Sequence, residues 1–168
     1  MQYDAFIHRE GQRVLADFPD CPGCQTFGDG DTIAEMAREA LEGWLEAHLV
    51  GGQAPPRPVE RTAGPHGSKL ARVPVRAGLA AAIAIRWARH DAGLSQAKLA
   101  SKAGVKQQQI QKLEDPDENP TLETLEKVAR AMGLAIDVSF HTAAAVSLPP
   151  LARATGAGGS RASKRWSR

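Results

Sequence analysis

The chain has 168 residues, 42% of them hydrophobic and 24% charged, enough for one ordinary domain or two small ones with a core. Its most apolar run, "LAAAIAI", meets Arg86 after seven residues, too short for a membrane span, and the start "MQYDAFIHRE" has no secretory pattern, so a soluble cytoplasmic protein with two free thiols is expected. Net charge is +2, but residues 1–70 hold 6 Lys/Arg against 11 Asp/Glu and residues 71–168 hold 15 against 8, which suggests an acidic module joined to a basic one that suits nucleic acid.

"YDAFIH" and "RVLADF" read as short strands around the turn signal "REGQ", with Val14, Ala16 and Phe18 alternating onto one face. A long loop is expected from Pro19 to Asp31. Ile33, Met36, Ala37, Ala40, Leu41, Trp44 and Leu45 then recur at helical spacing as one apolar stripe. Thr32 with Glu35 fits a capping box, and Gly51 with Gly52 ends the helix. Residues 51–69, rich in Pro and Gly, read as a loop or linker. "LARVPV" is a candidate third strand, which Pro74 would confine to a sheet edge.

From Leu79 onward the pattern is helical, with Leu79, Ala82, Ile83 and Trp87 on one stripe that ends near Gly93. Ser95 caps a second helix, "QAKLASKA", and Leu94 with Leu99 has hydrophobic-staple spacing. Gly104 stands where a left-handed C-terminal residue is expected. "KQQQIQKLED" is a short third helix with Ile110 and Leu113 inward. Pro120 and Thr121 open a fourth, lined by Leu122, Leu125, Val128, Ala129 and Met132 and stopped by Gly133. "AIDVSF" alternates Ile136, Val138 and Phe140 like a strand that could join two copies or close its own module. The tail "RATGAGGSRASKRWSR" carries five positive charges and no negative ones, with too little apolar surface to order itself, so disorder is expected.

Helix, Gly104 and short helix at this spacing make a helix-turn-helix, whose second helix can enter a major groove. The exposed face of that helix would carry Lys106, Gln107, Gln108, Gln111 and Lys112. Glutamine can pair with adenine N6 and N7, and lysine can reach guanine or phosphate. Gln96, beside the Ser95 cap, is placed to meet backbone phosphate. The plain alternative is a solvated helix face. Residues 94–133 closely resemble the lambda-repressor/Cro-like (XRE-type) helix-turn-helix family, at Gln96, Leu99, Ala100, Gly104, Val105, Ile110, Glu114, Pro120, Leu122, Leu125 and Gly133. That resemblance implies operator binding as a dimer. Residues 79–140 balance 8 Lys/Arg against 8 Asp/Glu, so counterion release alone would help little; placed contacts, dimerisation or the basic tail must supply affinity.

"DCPGCQTFGDG" holds both cysteines. A thioredoxin-like pair sits at a helix N-terminus, whereas the next helix begins about seven residues after Cys24. A structural zinc site needs four ligands, and the five histidines are scattered. Pro22 and Gly23 instead favour a type II turn. Pro19, Asp20, Pro22, Gly23, Cys24, Gly30, Asp31 and Thr32, followed by a helix bearing Ala40 and Leu41, resemble the HicB antitoxin family. Cys24 belongs to that pattern, whereas Cys21 looks incidental, so Cys21→Ser is expected to leave both binding activities nearly unchanged. The "TFGDGDT" loop carries about two extra residues.

The resemblance implies an α+β chain. Residues 1–75 would be a partial RNase H-like, toxin-binding domain, 76–140 a helix-turn-helix domain, and 141–168 a basic tail. It further implies an antitoxin that blocks a HicA-like ribonuclease toxin and represses its own operon as a dimer or higher oligomer, with no catalysis, cofactor or metal and no membrane partner. Asp20, Pro22, Gly23, Cys24, Gly30 and Asp31 would meet the toxin. Two other readings stay open. One is a stand-alone XRE-type regulator whose first module senses a ligand or redox state. The other is a nuclease using Mg²⁺ held by carboxylates among Asp17, Asp20, Asp29, Asp31 and Glu35.

Overall fold

The computed structural model describes residues 1–138. The expected strands form β1 (Gln2–Glu10) and β2 (Arg13–Asp17), which pair antiparallel from Phe6↔Asp17 to Glu10↔Arg13. A two-residue loop joins them, and Gly11 at φ 62° supplies the positive φ that a Gly-X hairpin needs. Within the expected Pro19–Asp31 loop lies a further strand, β3 (Gln25–Gly28), paired with β2 through Leu15↔Phe27. Four residues among glycines and aspartates carry no readable period; only the neighbouring strand makes them extended. "LARVPV" supplies β4 (Lys69–Pro74), the fourth strand rather than the third. It lies at the far edge of the sheet order β3-β2-β1-β4, where Pro74 removes no needed donor.

Helix α1 (Ile33–Val50) covers one face of this sheet. Its Ile33, Ala37, Leu41, Leu45 and Leu49 close over Tyr3, Ala5, Ile7, Val14, Ala16, Ala71 and Val73. Full burial of a leucine such as Leu41 or Leu45 contributes about 1.5–3 kcal/mol. Two local expectations about α1 fail. Thr32 makes no cap bond; its hydroxyl accepts from Asp29 N at 3.0 Å, because the preceding loop folds back on it. Met36, expected on the stripe, is 39% exposed, since the sheet reaches only the Ile33–Ala37–Leu41 line.

Residues 51–68 form no helix or strand, yet they are tied down. Tyr3 OH donates to Pro56 O at 2.7 Å and Trp87 Nε1 to Pro55 O at 2.7 Å. Arg61 N donates to Asp4 Oδ2 at 2.7 Å. This segment is a strap held to β1 and to Trp87, not a loose tether.

Four helices follow: α2 (Ala77–Asp91), α3 (Gln96–Ala103), α4 (Gln107–Leu113) and α5 (Leu122–Ala131). Leu79, Ala82 and Ile83 of α2 belong to the sheet's core, while Ile85 joins Leu99, Ala100, Ala103, Ile110, Leu113 and Val128 in a second core. One helix therefore serves both cores. Thr121 caps α5 by accepting from Thr124 N, but Leu122, expected inward, is 56% exposed. It is the first residue of α5, beyond the cover of α3 and α4. Residues 134–138 adopt no strand, and Ile136 and Val138 are exposed, so the alternation in "AIDVSF" does not produce a strand there. Phe140 and the basic tail lie outside the described residues. The α+β class holds.

Candidate functional site

Ser95 Oγ accepts from Lys98 N at 3.2 Å and starts α3, as its position before the apolar repeat dictates. Gly104, at φ 62° and ψ 41°, ends α3 in the left-handed region and turns the chain into α4. At the start of α4, Gln109 Oε1 accepts from Lys106 N at 3.0 Å. With Ile110 and Leu113 buried, Lys106, Gln107, Gln108, Gln111 and Lys112 all face solvent. Lys112 pairs with Glu118 at 3.2 Å, an exposed contact that holds it loosely. The side chains of Gln107, Gln108 and Gln111 have no partner among the described residues, and their amides are free to pair with base edges.

Gln96 is half-buried, and its amide Nε2 gives one of its two N–H groups to Glu114 Oε2 at 3.0 Å. Glu114, the residue after α4, is fully buried. Arg86 Nε reaches its Oε2 at 3.1 Å and Arg89 Nη2 the same oxygen at 2.9 Å, while Arg89 Nε bonds Oε1. Burial pushes the Glu114 carboxyl up, but the bonds from Arg89 and Gln96 and both guanidinium charges outweigh it and hold the group below the ordinary carboxylate range. Sequence reasoning missed this cluster. Its signals were Gln96 and Glu114 among the helix-turn-helix family positions and a charged residue, Arg86, ending the apolar run "LAAAIAI".

A helix-turn-helix family model matches residues 85–138. Antitoxin HicB 1 of Photorhabdus laumondii subsp. laumondii (strain TT01) is 32% identical over 128 residues, which span 76% of this chain and 78% of that protein. The chain belongs to the HicB antitoxin family. A solved HicA3 and HicB3 toxin-antitoxin complex contains a chain 27% identical to it, with a TM-score of 0.38 over 45% of this chain and 99% of that one. This HicB-family protein carries a helix-turn-helix in its second half, and among the described residues no helix is long and apolar enough to cross a membrane.

In its first half, "CPGC" is the expected turn. Cys24 N donates to Cys21 O at 2.9 Å across Gly23 at φ 80°. Both thiols are buried and reduced. Burial pushes Cys21 up to about 12 and Cys24 up to about 11, so neither is a thiolate near neutral pH. Cys24 Sγ contacts Ala40 O at 3.6 Å. Cys21, expected to be incidental, is a fully buried member of the sheet's core.

The six expected toxin contacts divide. Pro22, Gly23, Gly30 and Asp31 are exposed, whereas Cys24 is buried. Asp20 is held from three directions: Arg61 Nη1 and Nη2 donate to its two oxygens at 2.8 and 2.6 Å, and Val59 N donates to Oδ2 at 3.0 Å. Those bonds hold its carboxyl below the ordinary range. Asp20 anchors the strap. The five carboxylates weighed for a metal do not come together either, with Asp17 beside His8 at 3.3 Å and Asp20 on Arg61. No group of three or more potential metal ligands occurs among the described residues. One exposed side chain went unread: Phe27 on edge strand β3, 55% exposed, with the Arg13 guanidinium 4.7 Å from its ring centre.

Proposed function

We propose that this protein is the antitoxin of a HicAB-type pair, with residues 1–75 binding and blocking a small ribonuclease toxin and residues 76–140 repressing the operon as a dimer or higher oligomer. The single observation carrying the reading is the 32% identity to a HicB antitoxin over 76% of the chain, a span reaching into both halves. The DNA half has the required geometry: a capped α3, a left-handed Gly104, and an outward α4 face of uncommitted glutamines. An excess of acidic groups in residues 1–70 complements a basic RNA-binding toxin and would steer it into contact.

Pro22, Gly23, Gly30 and Asp31 remain candidates for the toxin contact, and Ser95, Lys106, Gln107, Gln108, Gln111 and Lys112 for DNA. Gln96 stays a candidate for phosphate, since its half-buried amide has a second N–H besides the one given to Glu114. Of the alternative reading, a stand-alone regulator whose first module senses a ligand or redox state, redox sensing draws no support from the thiols, which are buried and protonated. The protein should co-purify with the product of the neighbouring small reading frame and suppress its RNA cleavage, and it should retard a duplex from its own promoter region. Failure to bind the neighbouring protein refutes the antitoxin reading; failure to retard the promoter duplex refutes the repressor half.

A further inference from the structure

One side chain physically joins the two cores. Arg86 is buried on α2, next to Ile85 of the second core and three residues after Ile83 of the first. Its Nη1 donates to Leu49 O at 2.8 Å in the last turn of α1 and to Gln53 O at 3.1 Å three residues beyond the helix. Leu49 O also accepts from Gly52 N at 3.0 Å and lies at the negative end of the helix dipole, so its second lone pair suits a guanidinium. Its Nε donates to Glu114 Oε2 at 3.1 Å, and Glu114 in turn caps the end of α4 and holds Gln96 at the start of α3.

Both charges are removed from water, so neither can exchange a lost bond for a hydrated one without opening the protein. A bond of 2.8 Å tolerates a few tenths of an ångström before it fails. A shift of the α1 C-terminal turn therefore either drags the guanidinium, and with it Glu114, or breaks a buried charged contact.

We propose that Arg86 is a positioning residue for DNA reading, making the seat of α4 depend on the C-terminal turn of α1. Its consequence rests on the antitoxin reading: a partner that loads the first module changes operator affinity through this guanidinium. Coupling of this kind is a free energy between sites, shown only by an interaction between perturbations.

The test is a double-mutant cycle on the full chain. Leu45→Ala opens a cavity under α1 one turn before Leu49, and Arg86→Met removes the joint while keeping side-chain length. Amide exchange of α4 is read without DNA or partner, with β1 and α5 amides as controls for general destabilisation. Leu45→Ala should speed α4 exchange by about fivefold or more when Arg86 is present and by less than about twofold in the Arg86→Met background. Equal effects in both backgrounds overturn the proposal. If Arg86→Met does not fold, Arg86→Lys replaces it, since one ammonium cannot hold the Leu49 and Gln53 carbonyls and Glu114 together, and the same criterion applies. Affinity for a labelled promoter duplex should follow the same cycle, and saturation with the neighbouring protein should shift it only when Arg86 is intact. A wild-type chain that ignores both duplex and neighbour refutes the functional reading, while exchange still decides the joint.

Discussion

Replacing Asp20 by Ala separates an anchor from a contact residue. The Asp20 side chain is 7% exposed and accepts two bonds from Arg61, itself 25% exposed, and one from Val59 N. Hydrogen bonds to a charged group contribute about 1.5–3 kcal/mol and neutral ones about 0.5–1.5 kcal/mol. Arg61 and Val59 are near enough to solvent to recover water, so the sum is discounted toward one charged pair and a weak backbone bond. The expected loss is about 2–3 kcal/mol, or roughly 4–12 °C in melting temperature for a chain of this size. Urea unfolding measures it, and amide exchange at Val59 and Arg61 should rise more than at β1. Below the transition, affinity for the neighbouring protein should change by less than about threefold, a direct interfacial charge pair being worth more. A variant as stable as wild type but unable to bind that protein would refute the anchoring role and restore Asp20 as a contact.

Three further outcomes follow from the same structure. Cys21→Ser places a hydroxyl in the core of the sheet and should cost about 1–3 kcal/mol by urea unfolding, while both binding activities stay nearly unchanged below the transition; both native thiols should react with a disulfide reagent at pH 8 far more slowly than in urea, and fast native labelling would contradict their burial. Asp20 and Glu114 titrate below their ordinary values of 3.8 and 4.5, so the unfolded chain binds those protons more readily. Their stabilisation is complete above those values and is lost as pH falls through the lower folded ones; unfolding midpoints should decline below about pH 4, less steeply in Asp20→Ala, and a midpoint that rises on acidification would refute the pairing. Gln108→Ala should weaken promoter binding by about 1–3 kcal/mol if its amide reads a base, and Lys112→Ala should lower the salt dependence, both with the neighbouring protein still bound; anisotropy across a salt series tests this.

Features set by a few neighbouring residues were legible in the sequence. The Ser95 and Thr121 caps, the left-handed Gly104, the Pro-Gly turn between the cysteines and the inward Ile110 and Leu113 each depend on local backbone geometry and helical period. The α4 reading face was legible for the same reason, because two buried residues on a short helix fix which side remains outside. The family was legible as motif spacing in both halves.

Tertiary structure decided what depends on residues far apart in the chain. β3 is a strand only because β2 offers it a ladder, and Thr32 gives up its cap because the loop returns to it. Asp20 looked like a contact residue until Arg61, 41 positions away, closed on it. Cys21 looked incidental until the core enclosed it. Arg86 and Glu114 are unremarkable charges 28 positions apart until folding removes both from water and leaves them only each other, Arg89, Gln96 and the end of α1 as partners. Period and propensity report a residue's own surroundings along the chain; desolvation and long-range pairing exist only once the two cores have closed on α2.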